Sequence, residues 1–86
     1  MGSIHWKGVR VIPTIDVYAT GQNIRAMLKA QGITTTEVKD LLCLCSHQAI
    51  YKWYRGESLP NIDNLVALSI LLGVKVDDIL VMEGGD

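Results

Sequence analysis

The sequence predicts an all-α protein, a compact five-helix domain behind a short extended N-terminal arm. Two observations predict it. Apolar residues recur at i, i+3, i+4 spacing in five separate segments, and glycine, proline, serine, threonine and asparagine punctuate the gaps between them. Size and composition set the frame. Eighty-six residues, 49% apolar and 20% charged, make one small globular domain, with too few charges for disorder. The expected division is an arm over 1–19, a folded domain over 20–82 and a tail over 83–86.

The arm comes first. "VRVIPTIDVY" is rich in β-branched residues, and Ile15, Val17 and Ala19 alternate with Asp16 and Tyr18. This pattern suits an extended segment or edge strand, with Pro13 interrupting it. A lone strand is unstable, so the arm must lie on the bundle, pair with a second copy or stay unstructured.

Helix one is expected from near Gly21, capped by Thr20, with Ile24, Met27 and Leu28 inward and Gly32 ending it. Thr34 caps helix two, and Glu37 three residues on completes a capping box. Val38, Leu41 and Leu42 form its stripe. Ser46 caps helix three, whose stripe is Ala49, Ile50 and Trp53 and whose end is Gly56. Pro60 and Asn61 open helix four, with Ile62, Leu65, Leu68 and Leu72 as its stripe and Gly73 as its end. Val76, Ile79 and Leu80 mark the fifth. The short connections favour a compact bundle.

Charge divides the chain. Seven Lys and Arg stand against three Asp and Glu through Gly56, and one Lys against six acids from Glu57 onward. Such asymmetry fits one surface that meets a polyanion and another that does not. No apolar run is long enough to span a bilayer, and "MGSIHWKGVRVIP" has no apolar signal core. A cytoplasmic protein is therefore expected. Two cysteines at C-x-C spacing force no disulfide framework.

Four stretches, in order, carry a family likeness: "GITTTEV" (32–38), "AIYKWYRGESLP" (49–60), "NIDNLVALSILLGV" (61–74) and "VDDIL" (76–80). From Ile24 to Leu80 the chain resembles the helix-turn-helix domain of phage Cro and CI repressors and of XRE-type bacterial regulators, the lambda-repressor-like fold. The "AIYKW" wording is similar to a subgroup of short regulators. The resemblance implies a second helix over Thr35–Leu42 and a recognition helix over His47–Arg55, whose outward side chains enter the major groove of double-stranded DNA.

With Ile50 and Trp53 inward, His47, Gln48, Tyr51 and Lys52 are the expected base contacts. Gln48 suits adenine, Lys52 the guanine acceptors, and Tyr51 a thymine methyl or a phosphate. Thr34, Thr35, Ser46 and Arg55 are the expected phosphate contacts, three at helix N-termini and one at a helix end. Each has a plainer reading beside it. Lys52 and Arg55 form a solvated face on many helices, and Thr34 and Ser46 cap helices whether or not DNA binds.

The chain departs from the family pattern in three ways. Many members pair an arginine late in helix one with a glutamate late in the recognition helix; Leu28 and Tyr54 hold those places here, and a contact between them is expected to replace the ion pair. Cys43 stands where members favour glycine, in a turn, "CLCSH", expected to be one residue longer than the commonest form. Cys43, Cys45 and His47 raise a metal or redox role, against which a buried cysteine acting as a small hydrophobe is the default. No metal, cofactor or catalytic constellation is expected, so the protein is not read as an enzyme.

Ala67, Ile70 and Leu71 are apolar where the family usually has polar residues. They are the expected interface of a homodimer reading two half-sites, unless the arm covers them. The competing function is a protein-interaction module, antitoxin-like, that binds a protein partner through this apolar face or the acidic C-terminal half.

Overall fold

The computed structural model describes residues 14–83. In chain order it has β1 (Thr14–Ile15), α1 (Val17–Ala30), α2 (Thr35–Leu41), α3 (Gln48–Arg55), α4 (Ile62–Leu72), α5 (Val76–Ile79) and β2 (Met82–Glu83). The five helices stand where the apolar stripes place them. Residues 1–13 of the expected arm and 84–86 of the expected tail lie outside the described residues.

α1 begins earlier than its sequence suggests. Asp16, not Thr20, is its cap, accepting from the Ala19 N–H at 2.9 Å. Val17 to Ala19 are therefore helical and not part of an extended arm. Thr20 is fully buried, and its hydroxyl accepts from the Val81 N–H at 2.9 Å. The returning C-terminal segment thus claims the side chain that reads as a cap. β1 pairs antiparallel with β2, Thr14 opposite Glu83 and Ile15 opposite Met82. Glu83 accordingly belongs to a strand and not to a free tail.

The core is Ile24, Leu28, Val38, Ile50, Trp53, Leu65, Leu68, Leu72 and Ile79. Two residues assigned inward are instead exposed. Ile62 is 75% exposed and Leu41 60%. Ile62 is the first residue of α4 and Leu41 the last of α2, so each extends past the neighbour its phase points toward.

α1 and its C-cap residue Gln31 organise the rest through side-chain amides. Helix ends leave carbonyls without intrahelical partners. Gln22 Nε2 donates to Tyr54 O at the end of α3 (2.8 Å), Asn23 Nδ2 to Asp78 O and Ile79 O at the end of α5 (2.9 and 3.0 Å), and Gln31 Nε2 to Leu72 O at the end of α4 (2.8 Å). Gly21 lets α1 lie directly on α3, since a Cβ there would sit 1.7 Å from Trp53 O. Gly56 closes α3 in the left-handed conformation at φ 76° and packs on Tyr18. The C-terminal end of α3 is held by backbone-level contact.

Candidate nucleic-acid interface

α2 starts at Thr34 with the expected capping box. Thr34 Oγ1 accepts from Glu37 N–H at 3.1 Å, and Glu37 Oε1 accepts from Thr34 N–H at 2.8 Å. The turn into α3 bends at Cys43, whose φ of 55° lies in the left-handed region that favours glycine. Cys43 and Cys45 are both exposed free thiols, so neither is the buried small hydrophobe expected. The turn turns them outward, while Leu44 between them packs on the core.

The N-cap position of α3 is His47, not Ser46, and the His47 side chain makes no capping bond. Ser46 still serves the helix start from one residue further back, its Oγ accepting from Gln48 N–H at 3.3 Å. Ile50 and Trp53 are buried as expected. Gln48, Tyr51, Lys52 and Arg55 are exposed and His47 is half-buried, so the five outward side chains assigned to DNA on this helix share one surface. Thr34 is exposed and Thr35 half-buried at the adjoining end of α2.

An aromatic row runs along α3. The His47 and Tyr51 ring centroids lie 6.3 Å apart, and Tyr51 meets Tyr54 edge-on at 6.1 Å. The Arg25 guanidinium sits 5.8 Å above the Tyr54 ring, within cation–π range. Tyr54 packs against the core and lines the same depression as Leu28. Leu28 and Tyr54, expected to meet, thus line one depression, with the Arg25 guanidinium over the Tyr54 ring. Burial pushes the Tyr54 phenol above its usual value, against the Thr35 hydroxyl and the Arg25 charge, which lower it.

Arg55 is engaged within its own chain. Its Nε donates to Glu57 Oε2, and both side chains are about half exposed. That hydrogen bond holds the Glu57 carboxyl below the usual carboxylate range.

Three further residues belong to this surface. Tyr18, Gln22 and Arg25 of α1 join Thr35, Tyr51, Tyr54 and Arg55 around an open depression of about 640 Å³. Their i, i+4, i+7 spacing marks one face of α1, a signal hidden by placing Tyr18 in an arm. Two guanidinium groups, an amide and several hydroxyls around an open cup suit an anionic oxygen-rich ligand.

The helix-turn-helix family model matches residues 24–79, about two thirds of the chain. The chain belongs to the helix-turn-helix family. Its type is that of the XRE and Cro regulators, and DNA-binding transcription regulation is the function this membership supports. Three solved structures share the fold. The restriction-modification controller protein C.AhdI from Aeromonas hydrophila is 20% identical, with a TM-score of 0.65 over 74% of this chain and 96% of that one. The DNA-binding domain of BldD is 21% identical, with a TM-score of 0.63 over 77% and 94%. The clp gene regulator ClgR from C. glutamicum is 21% identical, with a TM-score of 0.64 over 77% and 84%. No curated protein matches the sequence.

Away from α3 this helix-turn-helix chain carries an apolar face. Ile62, Val66 and Ile70 of α4 are 75%, 45% and 76% exposed, an i, i+4, i+8 stripe. Ala67, Ile70 and Leu71 line a shallow groove of about 300 Å³ with Leu41 and Leu42. The structure thus brings the three residues assigned to an interface together and adds the α2 end to them. Among the described residues no helix is long and apolar enough to cross a membrane.

Proposed function

We propose that this protein is a sequence-specific double-stranded-DNA-binding transcriptional repressor that works as a homodimer. α3 lies in the major groove, and His47, Gln48, Tyr51 and Lys52 read base edges. Thr34, Thr35, Ser46 and Arg55 hold the phosphate backbone, joined by Arg25 and Gln22 across the depression. The α4 face, with Ala67, Ile70 and Leu71, pairs two copies so that two α3 helices meet half-sites roughly 34 Å apart. The protein acts in the cytoplasm, where its operator lies.

One observation carries this reading. From Ser46 to Gly56 there is no acidic residue, Ile50 and Trp53 are locked inward, and amides, aromatics and cations occupy the outer surface in a chain of slightly negative net charge. An ordinary solvated helix mixes both charge signs. The α4 face favours a second copy over an unrelated protein partner, because a two-fold dimer places both reading helices on one side of a duplex.

The test is selection of random duplex DNA on the purified protein, followed by titration of the enriched site against salt. Enrichment of a two-fold-related sequence is expected, with affinity falling steeply as salt rises. Lys52→Ala is expected to abolish preference for that site without altering the melting temperature. Equal binding of the wild type to all sequences rejects base readout.

A further inference from the structure

Three consecutive threonines open α2, and their hydroxyls have different neighbours. Thr34 caps the helix through Glu37 N–H. Thr35 lines the depression beside Tyr54. Thr36 is exposed, takes no part in the cap, and places its Oγ1 3.1 Å from Nε2 of His47, eleven residues away. This is the side-chain hydrogen bond that joins α2 to the start of α3.

The bond matters because of what else touches the imidazole. On one side Tyr51 lies against it at a centroid distance of 6.3 Å and an interplanar angle of 32°. Thr36 engages its far nitrogen. An unpaired histidine at a helix N-cap position samples several rotamers about its two side-chain torsions; this one is held by a hydroxyl on another element, with the Tyr51 ring beside it. Imidazole has two nitrogens, and the hydrogen bond at one sets which role the other can play. With Nε2 occupied by Thr36, Nδ1 has no protein partner among the described residues and is the ring atom left for a DNA acceptor or donor.

We infer that Thr36 is a positioning residue for base recognition: it orients the His47 ring and so fixes which base edge His47 accepts. This rests on the reading of His47 as a base contact. Thr36 need not touch DNA to act. A hydroxyl bonded to Nε2 is directional enough to hold the ring, whereas a methyl in its place keeps the shape and lets the ring turn. A ring free to turn presents either nitrogen or a C–H edge, and discrimination at that base pair falls.

The experiment compares wild type with Thr36→Val, Thr36→Ser and His47→Ala, each by selection of random duplex DNA, with melting curves to show that every variant folds. His47→Ala identifies the base pair that His47 reads, by loss of preference at one position in each half-site. Thr36→Val is expected to lose roughly tenfold in preference at that same position and to leave the other positions unchanged. Thr36→Ser, which keeps the hydroxyl, is expected to retain the wild-type profile. A role in stability alone lowers affinity evenly across all positions and does not select one. Nitrogen-15 spectra of the free protein give a readout without DNA: the His47 ring signals are expected to shift in Thr36→Val and to stay in place in Thr36→Ser. If His47→Ala changes one position and Thr36→Val changes none, the inference falls while His47 stands as a reader. If His47→Ala changes no position, base reading by His47 falls, and this inference with it.

Discussion

In α3 the buried stripe is Ile50 and Trp53; in α4 it is Leu65, Leu68 and Leu72. Both helices close on a glycine in the left-handed conformation, Gly56 at φ 76° and Gly73 at φ 71°. Both have their last carbonyls met by an amide from the α1 segment, Gln22 for α3 and Gln31 for α4. What they leave outside differs completely. α3 shows Gln48, Tyr51, Lys52 and Arg55, and α4 shows Ile62, Val66 and Ile70. The inner stripes make the fold, and most helices of this type could share them. The outer faces separate the proposed tasks: a polar surface without acid suits a polyanion, and a second apolar stripe suits an interface, here proposed to be with a second copy.

The largest expected effect comes from breaking what the two helices share. Gly21→Ala puts a Cβ 1.7 Å from Trp53 O, against backbone that cannot rotate away. Overpacking of this kind costs about 3 kcal/mol. In a domain of this size that lowers Tm by roughly 15 °C, and DNA binding is lost with the docking of α3. Gly32→Ala is the control. Gly32 has φ 70° but nothing within 4 Å, so only backbone strain remains, about 1 kcal/mol. Equal melting temperatures for the two variants would show that α1 does not crowd α3.

Gly21 also marks where sequence reading stops. The stripes at Ile24 and Leu28, Ile50 and Trp53, and Leu65, Leu68 and Leu72 are legible because each lies mid-helix, where period alone selects the buried face. The phase of α3 was therefore legible too, and with it the four outward residues. Ile62 and Leu41 were not, because at a helix end the period cannot tell whether a neighbour is still alongside. Thr20 and Asp16 are both good caps in isolation; only the return of Val81 to Thr20 decides between them. The Arg25–Tyr54 and Thr36–His47 contacts join residues 29 and 11 positions apart, and no local pattern announces them.

A charge on the apolar face of α4 tests the second half of the comparison. Ile70→Glu is expected to leave the fold intact, since Ile70 is 76% exposed. In a dimer it removes about 2 kcal/mol of apolar burial per protomer and sets two carboxylates near the two-fold axis. Mass measurement in solution is expected to show the dimer converted to monomer, with weaker binding to a two-half-site duplex and little change on a single half-site. A wild type that is monomeric at every concentration sinks the homodimer.

A smaller change sharpens the polar face. Arg55 is held by Glu57, so Glu57→Gln frees a cation beside the depression. DNA affinity is expected to rise a few-fold, because Arg55 no longer gives up its bond to Glu57 to meet a phosphate. Unchanged affinity would mean that Arg55 does not reach the backbone. The same pair gives a pH signature. The folded Glu57 carboxyl titrates below its unfolded value of about 4.3. Its contribution is therefore complete above that unfolded value and disappears as pH falls through the lowered folded one. The stability difference between wild type and Glu57→Gln is expected to be flat from about pH 6 to 8 and to close in acid.

The smallest expected effect lies in the turn that only α3 has. α4 is entered through Asn61, an ordinary cap whose Oδ1 accepts from Asn64 N–H at 2.8 Å. α3 is entered through Cys43 at φ 55°, where a side chain costs about 1 kcal/mol or more. Cys43→Gly removes that strain, and the extra freedom of glycine in the unfolded chain returns about half of it. The net expectation is a gain of about 0.5 kcal/mol, a rise in Tm of roughly 3 °C. The exposed thiol offers no buried packing to lose, so the sign is set by backbone conformation alone. A fall in Tm would mean that the Cys43 side chain contributes a contact worth more than its strain. A rise accompanied by an altered operator profile would mean that the strained residue also sets the angle at which His47 and Gln48 enter the groove.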